Sequence, residues 1–243
     1  PYQGWATYNS YVLTLTVELT GPVIGPADSF EEDDSIELVT ESELHLLRSG
    51  EPQTRSIHQA GDVDFARFVL DTESNIILQT QASTGDTVMK LYNASGALLQ
   101  TDDETQSMSR IERTEMPAGT YFVSVTSQST PEYLENYTLS LDAFGKPAAP
   151  QNVAVTPNSG MLVVSWPAVS GATQYKVYYQ YSNNPPFQMR EADEGSSPLS
   201  VSSNSTTLSG LPTDAPTYVC VAALNGTAES ECSETVSGTP HGD

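Results

Sequence analysis

Residues 28–43 hold eight acids and no base. Within that run Glu31, Asp33 and Asp34 set three carboxylates in four positions, and Asp62 with Asp64 adds a pair two residues apart beside the start of a strand pattern. Calcium takes six to eight oxygens, mostly carboxylates and backbone carbonyls on irregular loops, so these five acids are the leading candidates for a cation site. A charge run is more simply a solvated face, and spacing alone leaves both readings open. Asp102-Asp103-Glu104 is a further acidic group after a strand pattern and reads as a hydrated turn.

Catalytic chemistry has little to draw on. The three histidines, His45, His58 and His241, are scattered, and neither a Gly-x-Ser-x-Gly elbow nor a Walker or dinucleotide glycine pattern occurs. Acid pairs arise by chance in a chain this acidic, and nothing in the pattern sets one raised carboxyl beside an ordinary one. His58, within residues 56–61, reads as structural. The expectation is a protein that is not an enzyme.

Cys220 and Cys232 are the two cysteines. Residues 218–224 read as a strand, Asn225-Gly226-Thr227 as a hairpin turn and residues 230–236 as the return strand. A hairpin centred on Gly226 sets positions 220 and 232 opposite each other, where Cβ atoms fall roughly 4.5–5.5 Å apart. A small adjustment then allows a disulfide, which implies an oxidising compartment: periplasm, cell surface or medium.

The elements that position these residues follow from composition. Of 243 residues 37% are hydrophobic and 16% charged, with 16 glycines and 16 prolines. With its Ser- and Thr-rich runs, this suits turn-rich β-sandwiches of about 100 residues, roughly two of them. Nine bases against 31 acids give a net charge of −22: 23 acids and 6 bases in residues 1–145, 8 acids and 3 bases in 146–243. Such a surface repels nucleic-acid phosphate and anionic lipid, so neither is an expected partner. No apolar stretch approaches the ~20 residues that span a bilayer, so membrane insertion is not expected.

Residues 146–150 have linker composition, small residues and prolines with nothing to bury. After them, strand patterns at 153–155, 162–166, 175–181, 206–208, 218–224 and 231–236 suit a small antiparallel sandwich over 151–240. The runs Pro150-Gln-Asn-Val-Ala-Val, Val164-Ser-Trp166-Pro, Gly171-Ala-Thr-Gln-Tyr175-Lys-Val177-Tyr, Leu208-Ser-Gly-Leu211-Pro, Tyr218 and Val236-Ser-Gly-Thr-Pro240 resemble a fibronectin type III domain. The resemblance covers essentially all of 147–240. It implies an immunoglobulin-like sandwich with Trp166, Tyr175 and Tyr218 in its core, a corner loosened by an extra residue between Leu211 and Tyr218, and a spacer or adhesive role.

Residues 28–145 read as a second sandwich, with alternating strands at 65–70, 75–80, 87–92, 97–100, 109–113, 120–125 and 137–141. At most one short helical turn is expected in 36–47, where Leu38, Leu44 and Leu47 have helical spacing. The motifs Asp28-Ser-Phe-Glu31-Glu-Asp33-Asp34-Ser35, Gly61-Asp62-Val-Asp64-Phe65-Ala-Arg-Phe68, residues 85–96, Thr101-Asp102-Asp103 and residues 118–125 resemble the bacterial pre-peptidase C-terminal domain. That family includes the collagen-binding domains of clostridial collagenases. The resemblance implies a jelly-roll-like sandwich with calcium held between the acidic lead-in and the acids before the Asp-x-Phe strand. Glu31, Asp33, Asp34 and Asp64 carry over by match; Ser29 and Gly61 stand where those relatives have acids, and Asp62 offers a replacement.

Residues 1–22 precede this pattern. Tyr11, Leu13, Leu15 and Val17 alternate with more polar neighbours, and residues 9–15 repeat residues 135–141 at an offset of 126. An isolated strand cannot satisfy its own backbone. It reads as the last strand of a preceding copy, or as a strand inserted in cis or donated between subunits. Tyr2, Trp5, Tyr8 and Tyr133 read as packing surfaces against a neighbouring domain in preference to polymer contacts.

The expectation is therefore all-β: two antiparallel β-sandwich domains in tandem with an extra N-terminal strand. The expected function is a secreted, non-catalytic module that binds calcium and attaches or spaces a hydrolase or surface protein relative to an extracellular polymer or protein. The alternative is a subunit of an extracellular filament that partners itself through the donated strand.

Overall fold

The structure is a computed structural model that describes residues 25–103, 108–128, 133–181 and 191–242. The strand carrying Tyr11, Leu13, Leu15 and Val17, the aromatics Tyr2, Trp5 and Tyr8, and Glu104 all lie outside the described residues.

Eight strands build the first half: β1 (Gln53–Ile57), β2 (Asp64–Leu70), β3 (Ser74–Gln81), β4 (Thr87–Asn93), β5 (Leu98–Asp102), β6 (Arg110–Met116), β7 (Gly119–Ser127) and β8 (Leu134–Gly145). Alternation decides what each buries. Asp64, Ala66, Phe68 and Leu70 face in from β2, and Ser74, Ile76, Leu78 and Thr80 from β3. One antiparallel sheet runs β1-β8-β3-β6 and the other β2-β7-β4-β5, the strand order of an eight-stranded jelly roll. Between them Phe68, Leu78, Met89, Leu91, Val123 and Leu139 form a core without solvent exposure.

The sequence patterns overlap seven of these strands. They miss β1, whose Gln-Thr-Arg-Ser-Ile run carries no apolar alternation because its inward position is the fully buried Arg55. The helical turn is α1 (Ile36–Val39), but the helical spacing of 36–47 is not used: Leu38 and Leu44 are exposed, and Val39, His45 and Leu47 are the buried residues. The segment runs instead along β2, with Leu47 N donating to Arg67 O at 2.7 Å and Arg67 N to His45 O at 2.9 Å. It thereby covers an edge that would otherwise offer unpaired backbone.

The second half contains β9 (Ala154–Asn158), β10 (Met161–Ser165), β11 (Gln174–Gln180), β12 (Glu191–Ala192), β13 (Gly195–Ser196), β14 (Leu199–Val201), β15 (Ser205–Ser209), β16 (Thr217–Asn225), β17 (Ala228–Glu229) and β18 (Val236–Gly238). Sheets β15-β10-β9 and β14-β11-β16-β17, with β18 also on β16, form a sandwich, and β12 pairs β13. Trp166 and Tyr175 meet edge-on in its core, ring centres 5.2 Å apart. Tyr218 does not join them. The alternation of Val219, Val221 and Ala223 turns Thr217 inward and leaves Tyr218 half-buried on the other face.

The disulfide joins Cys220 and Cys232 with Cα atoms 5.8 Å apart, but the hairpin differs from the expected one. Its turn is Gly226-Thr227, between paired Asn225 and Ala228, and residues 230–235 are not strand. Here Ser230 Oγ and Ser233 Oγ accept the N–H groups of Ala223 and Val221, at 2.9 and 3.0 Å. The serine hydroxyls replace ladder carbonyls, and the register shifts before β18.

Residues 146–150 bury more than their composition suggests, since Pro147 and Pro150 are both buried. The β16–β17 turn packs on the end of β8. Asn225 Nδ2 donates to Gly145 O at 3.2 Å, Asn75 Nδ2 to Thr227 Oγ1 at 3.1 Å, and Lys146 Nζ reaches Glu73 at 3.0 Å and Glu231 at 3.2 Å. Gly226 has φ +53°, and a Cβ there would overlap the Phe144 ring, so glycine serves both the turn and the contact.

Candidate metal centre

The acids gather where the lead-in crosses the start of β2. Phe65 N donates to Asp33 O at 3.1 Å, which lays the acidic segment beside the strand. Asp28 fastens the other end, its Oδ1 accepting from Phe30 N at 2.7 Å and its Oδ2 from Ser56 N at 2.5 Å. Gly25 N donates to His58 O at 2.7 Å, and the Tyr133 ring covers Gly25 so closely that a Cβ would overlap it. Tyr133 thus packs against the lead-in of its own domain.

Donor atoms of Glu31, Asp33 and Asp64 lie within 4.8 Å of one another, and so do those of Glu31, His58 and Asp62. Each aspartate ties one oxygen to the fold. Asp64 Oδ2 accepts the Tyr137 hydroxyl at 2.5 Å, Asp62 Oδ2 accepts His58 N at 2.7 Å, and Asp33 Oδ2 pairs with Arg55 Nη1. Their other oxygens, Asp33 Oδ1, Asp62 Oδ1 and Asp64 Oδ1, and also Glu31 Oε1, are buried with no hydrogen-bond partner among the described residues. Asp34 stands apart: it is exposed, and its Oδ1 accepts Val63 N at 3.2 Å. Asp102 and Asp103 are likewise engaged locally, by Arg110 N and Gln128 Nε2.

Arg55 and Tyr137 are the members that sequence reasoning missed. Arg55 is wholly buried. It stacks on Phe30, 4.3 Å from the ring centre, and donates to Gln53 Oε1 at 2.8 and 3.0 Å and to Phe65 O at 3.2 Å. Tyr137 opens the alternating pattern at 137–141, with nothing in the sequence to mark its hydroxyl as the partner of Asp64.

Electrostatically the pocket is short of positive charge. Burial raises the Asp33 carboxyl to about 7 against the opposing pull of Arg55, and the Asp64 carboxyl to about 9 against the Tyr137 hydrogen bond. Burial also raises Asp62 and Glu31, and the charge of Asp62 raises Glu31 further. Buried carboxylates without partners are costly, and a divalent cation relieves this directly. The donor set therefore fits calcium: hard oxygens, several negative charges, and an irregular loop crossing a strand end.

Comparison with known proteins addresses the second half directly. Residues 148–239 match the sequence profile of the fibronectin type III domain. The second sandwich is a fibronectin type III domain. In it Lys176 Nζ and the Tyr178 hydroxyl both reach Glu229, each at 2.5 Å. Over 93 residues the chain is 34% identical to the tail tube protein gp17.1* of Bacillus phage SPP1, covering 38% of this chain and 31% of that protein. The match thus spans about a third of the curated relative's length.

Similar solved structures include an Fn3-like protein from Clostridium thermocellum, 20% identical, covering 41% of this chain and 99% of that one, with a TM-score of 0.33. They also include the pre-peptidase C-terminal domain of collagenase from Bacillus anthracis, 13% identical, covering 40% of this chain and 93% of that one, with a TM-score of 0.35. Among the described residues no helix is long and apolar enough to cross a membrane.

Proposed function

We propose that this chain is a calcium-stabilised, non-catalytic module of a secreted protein, in which two sandwiches attach or space a hydrolase or surface protein relative to an extracellular polymer. The buried, partnerless oxygens of Asp33, Asp64 and Glu31 carry the calcium reading. Asp62 lies beside them, and Asp34 acts through the loop by holding Val63. Calcium would supply the missing positive charge and pin the acidic lead-in to β2. The fibronectin type III match supports a spacer role, and the Cys220–Cys232 disulfide supports an oxidising compartment.

Titration of chelator-stripped protein with calcium tests the site. Saturable heat is expected, and Asp33→Asn combined with Asp64→Asn should abolish it. Equal heat from that variant would refute the assignment.

The relative from phage SPP1 is a tail tube protein, and this favours a second reading in which the chain assembles with copies of itself. Sedimentation and electron microscopy of the purified protein in millimolar calcium separate the two. Compact monomers support the spacer and filaments the assembly.

A further inference from the structure

We propose that Glu31, His58 and Asp62 form a second cation subsite, selective for a borderline transition metal of the zinc class. This goes beyond the calcium reading, with which it shares Glu31.

Chemistry divides the two donor sets. Glu31, Asp33 and Asp64 offer oxygen alone, whereas Glu31, His58 and Asp62 add an imidazole nitrogen. Calcium and magnesium take oxygen ligands, while imidazole suits zinc and its neighbours. Zinc accepts both His nitrogen and Asp/Glu oxygen, and open zinc sites pair three protein ligands with a water. The side chains of His58 and Glu31 keep 15% and 13% of their exposure, which leaves an approach from solvent, while that of Asp62 keeps none.

The contacts point to converging donors rather than a closed hydrogen-bonded pair. His58 Nδ1 lies 2.9 Å from Glu31 Oε1 and 2.7 Å from Asp62 Oδ2. Both are ion-pair contacts, and His58 Nδ1, Glu31 Oε1 and the buried Asp62 Oδ1 all lack a hydrogen-bond partner among the described residues. A tetrahedron with zinc bonds of ~2.0–2.1 Å has edges of ~3.3–3.4 Å. His58 Nδ1 must therefore part from each oxygen by roughly half an ångström to seat the ion. His58 N also donates to Asp62 Oδ2 at 2.7 Å, which fixes the carboxylate, and the buried Asp62 Oδ1 has no hydrogen-bond partner among the described residues.

Calorimetric titration of the whole chain with Zn²⁺, in millimolar calcium, tests the proposal. Saturable binding of one zinc is expected, weakened at least about tenfold by His58→Gln, since even outer partners of a metal site are worth that much. His45→Gln should leave it intact. Asp33→Asn should lose calcium while keeping zinc, so that a failed calcium reading and a failed zinc reading give different results. The Co²⁺-loaded wild type adds a readout independent of how the variants fold: a far-shifted exchangeable imidazole proton in its NMR spectrum. No zinc heat in the wild type, equal affinity in His58→Gln, or absence of that proton signal would each overturn the subsite.

Discussion

Arg55 on β1 and Asp33 on the acidic lead-in form an ion pair with side chains 0% and 1% exposed. The pair ties the lead-in to the sheet that carries Tyr137, since Arg55 and Tyr137 are themselves opposed across β1 and β8. One lattice of contacts thus links both sheets to the cation pocket.

Removing the cation half of that pair should be severe. Arg55→Met leaves Asp33 buried without its partner, and such a break costs about 3–5 kcal/mol. Urea unfolding of the first sandwich measures it. A loss under about 1 kcal/mol, the worth of a surface pair, would show that the pair contributes little.

Without calcium, the pocket should make the first sandwich less stable as pH rises. The folded values of about 7 for Asp33 and about 9 for Asp64 lie above the ordinary aspartate value. The folded state therefore holds protons that the unfolded chain has released. That stabilisation is complete below about pH 4 and is lost as pH climbs through the folded values. Urea midpoints in chelator should fall between about pH 5 and pH 9, and calcium should suppress the fall. A chelated protein that gains stability over this range would contradict the account.

The disulfide should matter to the second sandwich alone. Cys220 and Cys232 are 12 residues apart, and closing a loop of that length is worth about 3 kcal/mol in the chain-entropy model. Cys220→Ala with Cys232→Ala should lower the melting transition of the fibronectin type III domain and leave the first sandwich in place. Equal loss in both domains would show instead that they unfold as one unit.

Gly226→Val should loosen the joint between the sandwiches by driving a side chain into Phe144. Solution scattering should report a larger radius of gyration, with calcium binding unchanged. An unaltered scattering curve would mean that the Asn225 and Lys146 contacts hold the joint without it.

Much of this was legible wherever one physical rule acted alone. Asp64 reads as an inward residue from its phase with Ala66, Phe68 and Leu70, so a carboxylate at the core edge could be inferred from alternation. Tyr218 misleads because the family match, and not phase, places it in the core, whereas the Val219-Val221-Ala223 alternation identifies Thr217 as the inward residue. β1 and residues 230–235 were hidden for a different reason. A buried arginine and two ladder-replacing serines have no apolar signature, and their roles depend on partners distant in the chain. The place of His58 beside the acids has no sequence signal either, because its neighbour Glu31 reaches it only through the fold.

The most direct test of the central claim is differential scanning calorimetry of the whole chain across a calcium series against chelator. A ligand held only by the folded state adds about 2.7 kcal/mol at a hundredfold excess over its dissociation constant. The account predicts that calcium raises the transition of the first sandwich progressively and leaves that of the fibronectin type III domain where it is. Two transitions that both ignore calcium would contradict it.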